Sequence, residues 1–234
     1  MSIFTIADTH LSGGVEKPMD IFGQRWKNWT SLLCDNWRGT VGENDTVVIP
    51  GDISWAMTLE EAEPDLKLLD TLPGKKLIGK GNHDYWWSTA SKIEKFFSEK
   101  GICSIKLLHN NAYFAEGRVI CGARGWYIDE KSSPKDTDYK KIVARETGRL
   151  KLSLNAAQAY GSENEKIAFF HFPPVFSGFV CREIVEVLKS AGIKECFYGH
   201  IHGKYTIPQT TEYEGIRFTL ISADYLNFIP YKIV

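Results

Sequence analysis

Thr46-Val47-Val48-Ile49-Pro50-Gly51-Asp52 is the segment on which the reading of the fold turns. Residues 46–50 form a short, β-branched, apolar run, which reads as a buried strand. Gly51 and Asp52 then break it off in a polar end. The same pattern recurs along the chain. Residues 2–7 lead into Asp8-Thr9-His10. Residues 76–78 lead into Gly81-Asn82-His83-Asp84. Residues 167–171 end on His171, and 196–198 lead into Gly199-His200-Ile201-His202-Gly203. In an open α/β sheet, ligands bind beyond the carboxyl ends of the strands, where these clusters fall.

Helical patterns separate the strands. They cover residues 24–35, with Trp26, Trp29, Leu32 and Leu33 on one face, then 59–69, 89–99, 139–158 and 182–189. Thr58 and Glu61 form a capping box at the start of the second. Residues 112–127 read as a hairpin turning at Glu116-Gly117, and 205–234 as short strands joined by turns. Alternating strands and helices indicate an α/β protein, and the hairpins indicate mixed sheets. Two such sheets packed face to face, with helices outside, are expected within one domain spanning 1–234. The polar stretch 129–138 reads as a loop of that domain, mobile and near the mouth of the site.

The chain has 234 residues, 43% of them hydrophobic and 24% charged, values that exclude a disordered or collagenous protein. A net charge of −1 gives no general attraction to nucleic acid or anionic lipid. Five scattered cysteines without a C-x-x-C pair suit a reduced, cytoplasmic compartment. No signal peptide or membrane span is read from the sequence. Oligomeric state is not legible.

The chemistry concentrates at the strand ends. Five of the six histidines lie there: His10, His83, His171, His200 and His202. Asp and neutral His are ligands for Zn, Mn and Fe, and the Asn carbonyl suits harder ions. The i, i+2 spacing sets Asp8 beside His10, and His200 beside His202, on one side of an extended segment. With Asp52, Asn82 and His171 these make seven ligands. One ion rarely uses so many, whereas two ions sharing a carboxylate do, and such a pair drives displacement at phosphorus. Gly51, Gly81 and Gly199 each precede a ligand and allow close backbone approach.

The ordered set Asp8-x-His10, Gly51-Asp52, Gly81-Asn82-His83-Asp84, His171 and Gly199-His200-x-His202 resembles the calcineurin-like metallophosphoesterase superfamily, in particular its small bacterial phosphohydrolases. The resemblance implies a four-layer αββα sandwich. It implies that Asp8, His10 and His202 hold one ion, that Asn82, His171 and His200 hold the other, and that Asp52 bridges them. It gives His83 to the leaving oxygen, with Asp84 orienting its ring. The implied reaction is hydrolysis of a phosphomonoester or phosphodiester by a metal-bridging hydroxide, His83 being the general acid. Mn or Fe is expected, and Zn, Co or Mg also fit the donor set. The substrate expected is a small-molecule or nucleotide-type phosphoester. The sequence departs from protein serine/threonine phosphatases of the superfamily: no Asp-Arg-Gly follows Asp52, and the third motif ends in Asp84.

Several readings stay open at this level. Arg124 either clamps a phosphate or pairs with a neighbouring carboxylate. Trp55, Tyr85, Trp86, Trp87 and Trp126 either line a substrate pocket or touch only protein. Trp26, Trp29 and Trp37 read as core. The basic run Lys140, Lys141, Arg145, Arg149 and Lys151 reads as a solvated helix face, and His109 as a turn residue. A nuclease with the same dimetal site and a non-catalytic protein-binding scaffold are the rival functions.

Overall fold

The computed structural model describes residues 1–127, 130, 131 and 133–234. Its elements, in chain order, are β1 (Ile3–Thr5), α1 (Trp29–Thr40), β2 (Thr46–Ile49), α2 (Leu59–Thr71), β3 (Lys75–Ile78), α3 (Ala90–Lys100) and β4 (Ile105–Leu107). There follow β5 (Tyr113–Ala115), β6 (Arg118–Ala123), α4 (Tyr139–Ala157), β7 (Glu165–Phe170), β8 (Val175–Phe176), β9 (Phe179–Val180) and α5 (Arg182–Ser190). The chain closes with β10 (Glu195–Tyr198), β11 (Thr210–Tyr213), β12 (Ile216–Leu220) and β13 (Tyr231–Lys232).

One sheet has the order β13-β1-β2-β3-β4, parallel except for β13 at its edge. The other has the order β11-β12-β10-β7-β6-β5, with four parallel strands between two antiparallel ones. Side-chain alternation sorts the layers. In β2, Val48 points into the seam between the sheets, while Val47 and Ile49 point to the helices outside. In β7, Ile167 and Phe169 enter the same seam, and Ala168 and Phe170 face α4 and α5. Phe169 and its neighbour Phe197 on β10 stack side by side on the seam-facing side of their sheet, with centroids 5.3 Å apart. Both sheets therefore bury both faces, and the chain is an αββα sandwich.

The two hairpin turns of the second sheet follow from their sequence. Glu116-Gly117 and Glu214-Gly215 each place two residues at positive φ, 47° and 74° in the first and 48° and 77° in the second. That is the turn type whose twist matches two antiparallel strands. Thr58 caps α2 as expected, its hydroxyl accepting from the Glu61 N–H at 3.2 Å.

The first helix differs from its expected span. Residues 24–26 form only a 3₁₀ turn, and Asn28, at φ 54°, breaks the chain before α1 begins at Trp29. The buried face is consequently Leu33, Cys34 and Trp37, and Leu32 is exposed. The strands β4, β8 and β9 were not singled out from the sequence, being only two or three residues long. In the polar stretch 129–138, Asp129 and Ser132 lie outside the described residues. Asp138, at its end, caps α4 by accepting from the Lys141 N–H.

Lys76 on β3 is fully buried and donates to the carbonyls of Leu72 and Gly74. Burial lowers its pKa to about 8, against 10.5 in an unfolded chain. The folded state then releases this proton before the unfolded state does, so the fold gains stability as pH rises from about 8 toward 10.5. Denaturant unfolding at stepwise pH should show wild type gaining on Lys76→Met across that window. A constant difference between the two proteins would contradict a buried, strained ammonium.

Candidate metal centre

The loops that leave β1 and β2 run side by side. Asp8 N–H donates to Gly51 O at 3.0 Å, His10 N–H to Asp52 O at 3.0 Å, and Leu11 N–H to Ile53 O at 2.9 Å. The second sheet joins them where Ala7 N–H reaches Ile221 O at 2.8 Å. Gly51 has a φ of 116°, and a Cβ there would stand 2.4 Å from the Gly81 nitrogen, so the β2 and β3 loops touch backbone to backbone. Asp8, His10, Asp52 and His200 all lie at positive φ, between 45° and 70°. Each such residue costs roughly 1–2 kcal/mol, strain of the kind that collects at functional sites. The segments 8–10 and 200–202 are therefore not extended, contrary to the sequence reading. The paired side chains converge through left-handed turns instead.

Two trios of ligand atoms result, Asp8 with His10 and His202, and Asp8 with Asp52 and His171. His10 Nε2 stands 3.3 Å from His202 Nε2. Asp8 Oδ1 lies 3.7 Å from His202 Nε2 and 3.6 Å from His171 Nδ1. Asp52 Oδ2 lies 3.7 Å from His10 Nε2 and 3.5 Å from His171 Nε2. Asn82 Oδ1 lies 2.7 Å from His171 Nε2. Atoms about 2.1 Å from a common ion stand roughly 3.0–3.4 Å apart, close to the spacing seen.

A divalent metal fits this donor set on two further grounds. Asp8 Oδ1 and Asp52 Oδ2 are buried and accept no hydrogen bond. Anionic oxygens left so are costly unless a cation holds them. Burial also raises the Asp8 carboxyl to about 6 and, with Asp84 and Asp8 nearby, raises Asp52 well above the usual range. The same burial holds His10 and His171 far below the ordinary histidine value, so both rings are neutral, the form that ligates.

Sequence reasoning missed Asp224. Its Oδ1 lies 2.9 Å from His202 Nδ1, and its Oδ2 accepts from Gly203 N–H and Tyr205 Oη. It fixes the His202 tautomer with Nε2 aimed at the cluster, a carboxylate–histidine–metal relay. Burial opposes protonation of His202, but Asp8 and Asp224 outweigh it and raise its pKa. The available signal was positional: like Asp8 and Asp52, Asp224 closely follows a strand. Trp26 is buried as expected, yet it also walls the site, 5.8 Å from His10 and 5.7 Å from His202.

The open aromatic question divides residue by residue. Trp55 stacks on His10 at 4.8 Å and sits 4.4 Å from His83. Trp86, Trp87 and Trp126 are buried against protein, and Tyr85 alone of the five is exposed. The His200 ring lies 5.1 Å from His171 and 4.3 Å from Phe172, outside both trios.

Asp84 does not orient His83. Its Oδ2 accepts from the N–H groups of Asp52 and Gly81, both at 2.8 Å, and its Oδ1 from those of Ile53 and Ser54 and from the Trp86 indole. Backbone donors saturate the carboxylate, and His83 Nδ1 is buried without a partner. Arg124 takes the ion-pair alternative, 3.5 Å from Glu146, with its guanidinium 4.8 Å from the Trp126 ring centre. A surface concavity of about 1020 Å³ lies elsewhere, between α4 and α5.

With this geometry in view, the family model for calcineurin-like phosphoesterases matches residues 1–204. The chain belongs to that family and is a metal-dependent phosphoester hydrolase. Among solved structures it is similar to a phosphopantetheinyl hydrolase from Mycobacterium tuberculosis, at 14% identity and a TM-score of 0.60, covering 100% of this chain and 95% of that one. It is also similar to a protein from Thermus thermophilus, at 16% identity and TM-score 0.56, covering 95% and 89%. A protein of unknown function from Aquifex aeolicus gives 14% and 0.51, covering 99% and 95%. These likenesses are of fold. No curated protein matches the chain. Among the described residues, no helix is long and apolar enough to cross a membrane.

Replacing Asp84 by Asn turns an amide donor toward backbone donors. Each lost charge-assisted bond is worth about 1.5–3 kcal/mol. Asp84→Asn should therefore lower both unfolding stability and metal content. Unchanged melting with only kcat reduced would instead point to a role on His83.

Proposed function

We propose that the site hydrolyses a small-molecule or nucleotide-type phosphomonoester or phosphodiester with two divalent ions. Asp8, His10 and His202 hold one, Asn82, His171 and His200 hold the other, and Asp52 lies between. The observation that carries this reading is Asp52 Oδ2, buried, unpartnered and within 3.7 Å of both His10 and His171. Ligands from both sheets support one domain over 1–234. Mn or Fe suits the mixed N/O set, and free cysteines throughout suit a cytoplasmic setting. Bound divalent ions would activate water and take up charge on the phosphoryl oxygens.

His83 acts at the leaving group. Its backbone N–H donates to Asp52 Oδ1 at 2.8 Å, which anchors the residue without using its ring. The ring lies between Trp55 and Tyr85, at 4.4 and 6.2 Å. Burial, with His202 and Lys17 nearby, lowers His83 to about 4, so it is neutral near pH 7. A phosphoryl anion arriving beside it raises that value and brings the ring toward the proton-donating form.

Mn-loaded protein should contain close to two ions per chain and cleave bis(4-nitrophenyl) phosphate, and Asp52→Asn should lose most of both. Full activity with a single ion would overturn the two-ion reading. His83→Ala should keep its metal and lose about 10² to 10⁴ in kcat on alkyl esters. The loss should shrink on nitrophenyl esters, whose leaving group needs no proton. Equal losses on both would remove His83 from that role.

A further inference from the structure

We propose that a cationic cavity beside the metal centre receives a second phosphoryl group of the substrate, an inference that rests on the phosphoesterase reading above. The cavity encloses about 190 Å³ where the ends of β3 and β6 meet α4. Lys80, Arg124, Arg145 and Arg149 line it, together with Glu146 and His109. Counted formally, four cations face one carboxylate, a surplus of 4 − 1 = 3 positive charges with His109 neutral.

The hydrogen bonding leaves those cations available. Glu146 is buried, and a single oxygen, Oε1, stands 3.5 Å from Arg124, 3.5 Å from Arg145 and 3.7 Å from Arg149. Charge-assisted hydrogen bonds are about 2.7–2.9 Å long, so Glu146 gathers the three guanidinium groups without saturating their donors. Arg149 also meets His109 at 3.3 Å. A network built only for stability would match its charges. This one brings like charges together, an arrangement that an incoming dianion relieves.

Position ties the cavity to the reaction. Lys80 directly precedes Gly81-Asn82, and Pro50, also in the lining, precedes Gly51-Asp52. The Arg124 carbonyl accepts from the His171 N–H at 3.2 Å. Thus two of the loops that hold ligand residues also hold this wall, and the segment of a third, His171, is hydrogen-bonded to it. At about 30 Å³ per water, the space takes about six waters, enough for one hydrated phosphoryl group and too little for a nucleoside. The basic face of α4 is therefore not simply solvated: Arg145 and Arg149 turn toward this cavity. The substrate class singled out is a phosphoester with a second phosphate on the same molecule.

The test uses metal-loaded protein and a series of alkane α,ω-bisphosphonates of increasing chain length, with methylphosphonate as reference. Inhibition of bis(4-nitrophenyl) phosphate hydrolysis and calorimetric binding are both measured. One chain length should bind about tenfold or more tighter than methylphosphonate. In Arg149→Met, and in Arg145→Met combined with Arg149→Met, that ratio should fall to near one, while Arg149→Lys should keep part of it. Arg145 is more than half exposed, so Arg145→Met alone supplies a folded variant should the others fail. The proposal is overturned if no chain length surpasses methylphosphonate, or if the preference survives the double substitution. Because calorimetry needs no turnover, absent hydrolysis with the preference intact overturns the hydrolase reading alone.

Discussion

The centre depends on one buried carboxylate. Asp84 takes the N–H groups of Gly81, Asp52, Ile53 and Ser54, and the Trp86 indole, on its two oxygens. A carboxylate removed from water is tolerated only when such donors replace it. Here they are drawn from the loops after β2 and β3, so burying the charge locks those loops together. Asp52 and Asn82 acquire their positions from that lock. Its own burial, with the Asp84 charge added, raises the pKa of Asp52, a strain that a bound metal ion would relieve.

The sandwich holds the rest in place around this lock. The apolar seam between the sheets fixes how β1, β2 and β3 face β7 and β10. Left-handed turns at Asp8, His10, Asp52 and His200 then bend the side chains inward. Conformational strain is thus borne by residues of the candidate metal centre, and the regular elements behind them over-determine it.

Much of this was legible in the sequence because it rests on short-range pattern. Apolar runs ending in polar clusters marked the strands, and the histidines at those ends marked the site. What escaped depends on three-dimensional contact. Asn28 interrupts a helical pattern by adopting a left-handed conformation that no periodicity records. Asp84 stands next to His83 in sequence, yet its partners are backbone donors, which a residue pattern does not display. Asp224 acts on His202 from 22 positions away. Arg145 and Arg149 read as surface charge because their destination is set by Glu146 and by the end of β6.

The pairing of β1 with β13 bears on when the centre can exist. Ile3 N–H donates to Val234 O at 3.0 Å, and Ile233 N–H returns to Ile3 O at 2.8 Å. The strand that presents Asp8 and His10 pairs along one edge with residues translated more than two hundred positions after it. His202 and its anchor Asp224 are similarly late. Pairing so distant in sequence is slow, since loop closure precedes its reward. A nascent chain therefore offers the cell scattered aspartates and histidines rather than a binding site. Metal loading thus waits on the folded domain, and the choice of ion falls to the folded cage rather than to the nascent chain.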